Sequence, residues 1–179
     1  MGVLRDRNGD HDGRRTRRFL LRARGVSIGT DYWVEDEQGD RAFLVDGKAA
    51  RVRDTWVIND AEGREVATVR EKKLSIRDAV KIHFEGREAT VRRSRLGIGE
   101  RFHVEIDGER GGDLKVKGDF IGHDFEIERD GHRIAEVSKK WFRVRDTFGV
   151  EVADDADTVL VLAVVVAVDS VIADSLMAD

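Results

Sequence analysis

The sequence predicts an all-β fold: a closed antiparallel barrel of about twelve strands around a buried hydrophobic C-terminal helix. Three observations carry that prediction. Turn glycines recur at Gly39, Gly63, Gly86, Gly108 and Gly131, spaced 24, 23, 22 and 23 residues apart. The stretches between them alternate apolar and polar residues with a period of two. The last charge-free run, Thr158–Val168 (TVLVLAVVVAV), breaks that pattern and has no turn residue in it.

The alternation is clearest in the middle of the chain. Val80, Ile82 and Phe84 fall on one side of a strand and Lys81, His83 and Glu85 on the other. Phe102, Val104 and Ile106 alternate in the same way with His103, Glu105 and Asp107. Strand side chains switch faces at every residue, so each such segment buries one face and wets the other. Pairs such as Gln38-Gly39, Glu62-Gly63, Glu85-Gly86, Asp107-Gly108 and Asp130-Gly131 supply the positive φ that tight hairpins need. Together these segments form an internal repeat, and no helical periodicity lies between them.

Composition fits one domain. The chain has 179 residues, 40% hydrophobic and 38% charged, too apolar for a disordered polymer and long enough for one sizeable core. It contains no proline and no cysteine, which excludes proline-rich ligands, disulfides, thiol nucleophiles, iron–sulfur clusters and cysteine-bound zinc. No charged leader precedes an apolar stretch at the N-terminus, so the reading is a cytoplasmic protein without a secretory signal. The charge is uneven: Met1–Arg24 carries eight arginines against Asp6, Asp10 and Asp12, in a chain whose net charge is −4. Residues 1–17 are expected to be a flexible arginine-rich arm and residues 18–179 the barrel domain. A basic arm can touch phosphate; with no aromatic residue before Phe19 it reads as a solvated tail, and a nucleic-acid partner is disfavoured.

The terminal run reads as a helix spanning about 156–178. Its eleven uncharged residues would reach roughly 16 Å as a helix, half the thickness of a bilayer core. Asp157 and Asp169 close the run, and Asp169 and Asp174 would lie inside any longer span, so no transmembrane segment is assigned. A helix apolar on every side must be buried on every side, and the barrel interior is the place for it. The expected core therefore includes Phe84, Val104, Ile106, Ile127, Leu160, Leu162, Val164 and Val168.

With these features in view, the chain resembles the LURP-one-related family of the tubby C-terminal-like superfamily. The likeness rests on SIGTDYWVEDEQGDRAFLVDGKAARVRDT (27–55), WVINDAEGREVATVREKKLSIRD (56–78), KVKGDF (115–120), SKKWFRVRDTFGVEV (138–152) and the closing apolar helix. It implies a twelve-stranded barrel threaded by a central helix, in agreement with the reading from periodicity. It brings no catalytic residues with it. Some tubby-like relatives bind phosphoinositides through basic surface residues, at positions outside the matching segments.

No arrangement of chemistry-bearing residues stands out. The serines lack the G-x-S-x-G context that exposes a hydrolytic nucleophile. Gly97-Ile98-Gly99 and Gly108–Gly112 lack the Lys-Ser/Thr pair of a phosphate loop and read as turns. His83 and His103, with Glu85 and Glu105, would suit zinc if they faced each other on neighbouring strands; surface histidines are the plainer reading. His123-Asp124 with His132 could bracket one hairpin. The expectation is a protein without catalysis, cofactor or metal.

The remaining candidates are basic. Lys139, Lys140, Arg143 and Arg145 surround Trp141 and Phe142; Arg92, Arg93 and Arg95 form a second cluster; Lys72 and Lys73 form a third. Cations with interleaved rings suit an anionic lipid surface or a phosphorylated ligand, and equally suit a strand with Trp141 inside and charge outside. Lys140 and Phe142 share one strand side and Lys139, Trp141 and Arg143 the other, which calls for a bulge at Trp141. The function expected is a binding or scaffold module that meets anionic phospholipid headgroups. The alternative is a protein partner held by the acidic body.

Overall fold

The computed structural model describes residues 14–23, 31–47, 55–72, 79–94, 101–109, 112–139 and 147–177. Twelve strands form one closed antiparallel barrel, each hydrogen-bonded to its neighbours in sequence, and the first pairs with the last to shut the ring. They are β1 (Thr16–Ala23), β2 (Tyr32–Glu35), β3 (Arg41–Asp46), β4 (Thr55–Asp60), β5 (Glu65–Lys72) and β6 (Ala79–Phe84). They continue with β7 (Arg87–Ser94), β8 (Arg101–Ile106), β9 (Leu114–Asp119), β10 (Asp124–Arg129), β11 (His132–Ser138) and β12 (Thr147–Ala153). One helix, α1 (Thr158–Met177), follows. The first strand takes in Thr16 and Arg17 from the end of the expected arm.

The five turn glycines all have positive φ, from 73° to 84°. Glu85 and Asp130 share that sign with the glycines after them, as a two-residue hairpin matched to the right-handed strand twist requires. The longer turns at Asp36 and Asp60 are alike: each carboxylate accepts two backbone N–H bonds, at 2.9 Å from Gln38 and Asp40, and at 3.0 and 2.9 Å from Glu62 and Arg64. Since strands run alternately up and down, one full glycine spacing covers two strands. All five glycines therefore lie at the same end of the barrel.

The lumen is filled by inward side chains and α1. Leu21, Val34, Ile58, Ile82, Phe102 and Ile127 contribute from the wall, each fully buried. From the helix, every residue from Leu160 to Val168 is buried, whichever side it faces. The eight expected core residues are all inside, none more than 4% exposed. The helix lies closest to β5, β6 and β7, where small inward residues Ala67 and Ala89 leave room for it. Its start is fixed by Asp157, whose Oδ1 accepts the Leu160 N–H at 3.1 Å while its Oδ2 meets Arg87 at 3.1 Å.

Two outcomes follow from this packing. Leu162→Ala should lower unfolding free energy by about 2–5 kcal/mol, the range for large-to-small changes in a packed core. An unchanged urea midpoint would contradict the helix placement. Removing residues 156–179 should leave an aggregated or unfolded chain, read by solubility and near-ultraviolet circular dichroism; a soluble fragment with native aromatic signals would contradict it.

Candidate functional site

Strand polarity sorts the chain's charge. The turns at the glycine end, residues 36–40, 61–64, 85–86, 107–113, 130–131 and 154–157, carry twelve Asp and Glu against two Arg. The segments joining strands at the other end are 24–30, 48–54, 73–78, 95–100, 120–123 and 139–146. In sequence they carry eleven Lys and Arg against four Asp and Glu. Most of those residues lie outside the described ones, so the asymmetry rests on connectivity and sequence. By connectivity the acidic residues go to the joins of one end and the basic residues to the joins of the other.

By connectivity all three basic clusters belong to that second end, although Lys73 and Lys139 are 66 positions apart in the chain. Lys139 is exposed, and its backbone N–H donates to the His123 carbonyl at 3.1 Å. Arg92 points outward and pairs with Glu105 at 3.7 Å. Its neighbour Arg93 turns toward the lumen mouth and donates to Ser175 Oγ of the helix at 2.7 Å. Arg95, Lys140, Arg143 and Arg145, the expected bulge at Trp141 and the residue Lys73 lie outside the described residues. The same end carries Ile121, 63% exposed in the β9–β10 turn, and Leu176, 58% exposed in the last helical turn. These are the exposed large hydrophobic residues of the described chain.

Just inside this mouth is a polar cluster. Tyr32 Oη donates to Asp169 Oδ2 at 2.7 Å, and His123 Nε2 lies 2.8 Å from Asp169 Oδ1. The Phe148 ring covers both partners, with centroids 4.8 Å from His123 and 5.9 Å from Tyr32. Sequence reasoning had no signal for Tyr32, which comes from β2, four strands around the ring from β10. Asp169, the acid that ends eleven uncharged helical residues, was the visible half of the pair.

The histidine pairings considered from sequence do not form. β7 lies between the strands of His83 and His103, so the two never face each other; His83 meets Glu88 and His103 stands opposite Arg92 and Lys115. His123 and His132 sit at opposite ends of their hairpin, because Asp124 pairs with Ser138 and Arg129 with His132. Among the described residues no group of three or more His, Asp or Glu is placed to hold a metal ion.

The outer wall holds a second feature. Glu126, Glu136 and Glu151 stand directly opposite one another on β10, β11 and β12, and the row ends in Lys117 on one side and Arg18 on the other. Lys117 reaches Glu126 at 3.1 Å and Glu128 at 2.6 Å; Arg133 reaches Glu136 at 2.8 Å; Arg18 reaches Glu151 at 2.7 Å. Glu126, Glu128, Arg133, Glu136 and Glu151 line a shallow groove of about 280 Å³ together with Arg14. Burial first, with Glu151, Asp124 and Glu126 nearby, raises the Glu136 carboxyl above its usual value despite the opposing pull of Arg133.

The fold defines a class: a closed twelve-stranded antiparallel barrel with a helix for its core. The LURP-one-related family model matches residues 17–169, and the chain belongs to that family. It is 20% identical over 155 residues to the uncharacterised protein YxjI of Bacillus subtilis (strain 168), covering 86% of this chain and 93% of that one. The X-ray structure of the Arabidopsis thaliana protein AT5G01750 shares the fold, with a TM-score of 0.58 at 18% identity over 87% of this chain and 91% of the other.

The Glu136 shift has a sign that can be measured. The folded chain holds this proton more tightly than the unfolded chain, so folding stability falls as pH rises from the ordinary glutamate value of 4.5 upward. Glu136→Gln removes the like-charge opposition and should stabilise the barrel by about 0.2–1 kcal/mol at pH 7. At pH 4 the gain should vanish. Urea unfolding at both values checks this, and an equal effect at the two would contradict it.

Proposed function

We propose that this protein is a non-catalytic cytoplasmic binding module that docks end-on, and peripherally, to anionic phospholipid headgroups. What supports the reading is strand connectivity, which assigns three sequence-distant basic clusters to the end that carries exposed Ile121 and Leu176. Cations near an anionic membrane contribute about 1 kcal/mol each, and exposed apolar side chains add the burial of their own surface. The acidic end works in the same direction: repelled by the surface, it turns the basic end toward it.

The glutamate row favours a second reading, a basic protein segment held against the β10–β12 wall. Like charges placed opposite each other cost stability in the free barrel, and a bound guanidinium or ammonium would relieve that.

Vesicle flotation tests both. The protein should float with phosphatidylserine-containing vesicles and not with zwitterionic ones, and high salt should release it. Lys139→Glu reverses one charge at the docking end and should weaken binding by about tenfold or more. Ile121→Asp should weaken it as well, with the thermal midpoint unchanged. Equal flotation on both lipids, or none on either, would overturn the lipid reading; none on either together with salt-sensitive binding of an arginine-rich peptide would favour the second.

A further inference from the structure

We propose that Asp169 decides where the C-terminal helix goes, committing it to the barrel lumen and barring it from lipid. By length and composition Thr158–Leu176, 19 residues, could cross a membrane. No charge interrupts it before Asp169. That residue lies eleven positions beyond Thr158, about 16 Å along the helix axis, close to the midplane of a bilayer core of about 30 Å. An ionised side chain is least tolerated at that depth.

In the barrel the same carboxylate is well placed. Tyr32 reaches Oδ2 and His123 reaches Oδ1, and the Asp169 and His123 side chains are only 22% and 19% exposed. His123 Nδ1 is buried without a partner. An unused acceptor is easier to bury than an unused donor, which assigns the ring proton to Nε2 and makes His123 a donor to Asp169. One acid is thus a barrier in lipid and a doubly bonded anchor in the lumen. Asp174 is the other acid of the helix and stands near its exposed end, where it would reach the headgroup region of a membrane.

The test uses the full chain, translated in a cell-free system with zwitterionic vesicles, so that the basic end has no anionic surface to bind. Alkali-resistant flotation reads out insertion. The unaltered chain should stay out of the floating fraction. Asp169→Leu should enter it with at least about fivefold enrichment. Asp169→Asn keeps a polar group at the same depth and should behave like the unaltered chain, as should Asp174→Leu. The double change Tyr32→Phe, His123→Leu removes both donors but keeps the charge; it should lose native circular dichroism without floating. The proposal is overturned if Asp169→Leu floats no more than the unaltered chain, whether it folds or aggregates. It is also overturned if Asp174→Leu floats as strongly, or if the unaltered chain or the double variant inserts.

Discussion

Twelve strands closed into a ring enclose more space than their own inward side chains can fill. Barrels of about eight strands can pack their interiors with wall residues alone, and those of sixteen or more leave a channel. At twelve, something apolar has to occupy the axis, and the rest of the molecule is arranged around that need. The helix can be valine-rich and uncharged because no part of its middle meets water. Ala67 and Ala89 can be small because the helix approaches that side of the wall. The polar contacts of the helix sit at its two ends, Asp157 with Arg87 at one mouth and Asp169 with Tyr32 and His123 at the other.

Closure also separates the two ends chemically. Short hairpins with positive φ at glycine occupy one end, and their acidic residues accept backbone N–H bonds, as Asp36 and Asp60 do. The segments joining strands at the other end carry eleven of the lysines and arginines in sequence. The outer wall is a sheet surface with its own cross-strand pairs, and in its glutamate row three like charges stand side by side.

Much of the fold was legible in the sequence because a strand declares itself locally. Phe102, Val104 and Ile106 need only their period of two to be placed inside, and Gly86 needs only its preceding acid to mark a turn. The all-round apolar helix was legible for the same reason, since only a lumen can bury it. The site was less so. Whether His83 and His103 meet depends on the intervening β7, which periodicity does not report, and His123 finds Asp169 across 46 residues of chain. Arg92 and Arg93 looked like one cluster, but adjacent strand residues face opposite ways, and Arg93 is committed to Ser175.

The seam between β1 and β12 has a consequence for how the molecule is made. Phe19 pairs with Val150 and Leu21 with Phe148, so the first strand synthesised waits for the last. Until β12 emerges, β1 and the newest strand are both open edges with unpaired backbone groups, and the lumen has no core. Pairings this distant in sequence are slow to form, and open edges are where chains stick to one another. The closed ring of the finished barrel is thus reached through an assembly route that exposes two edges until β12 has been made.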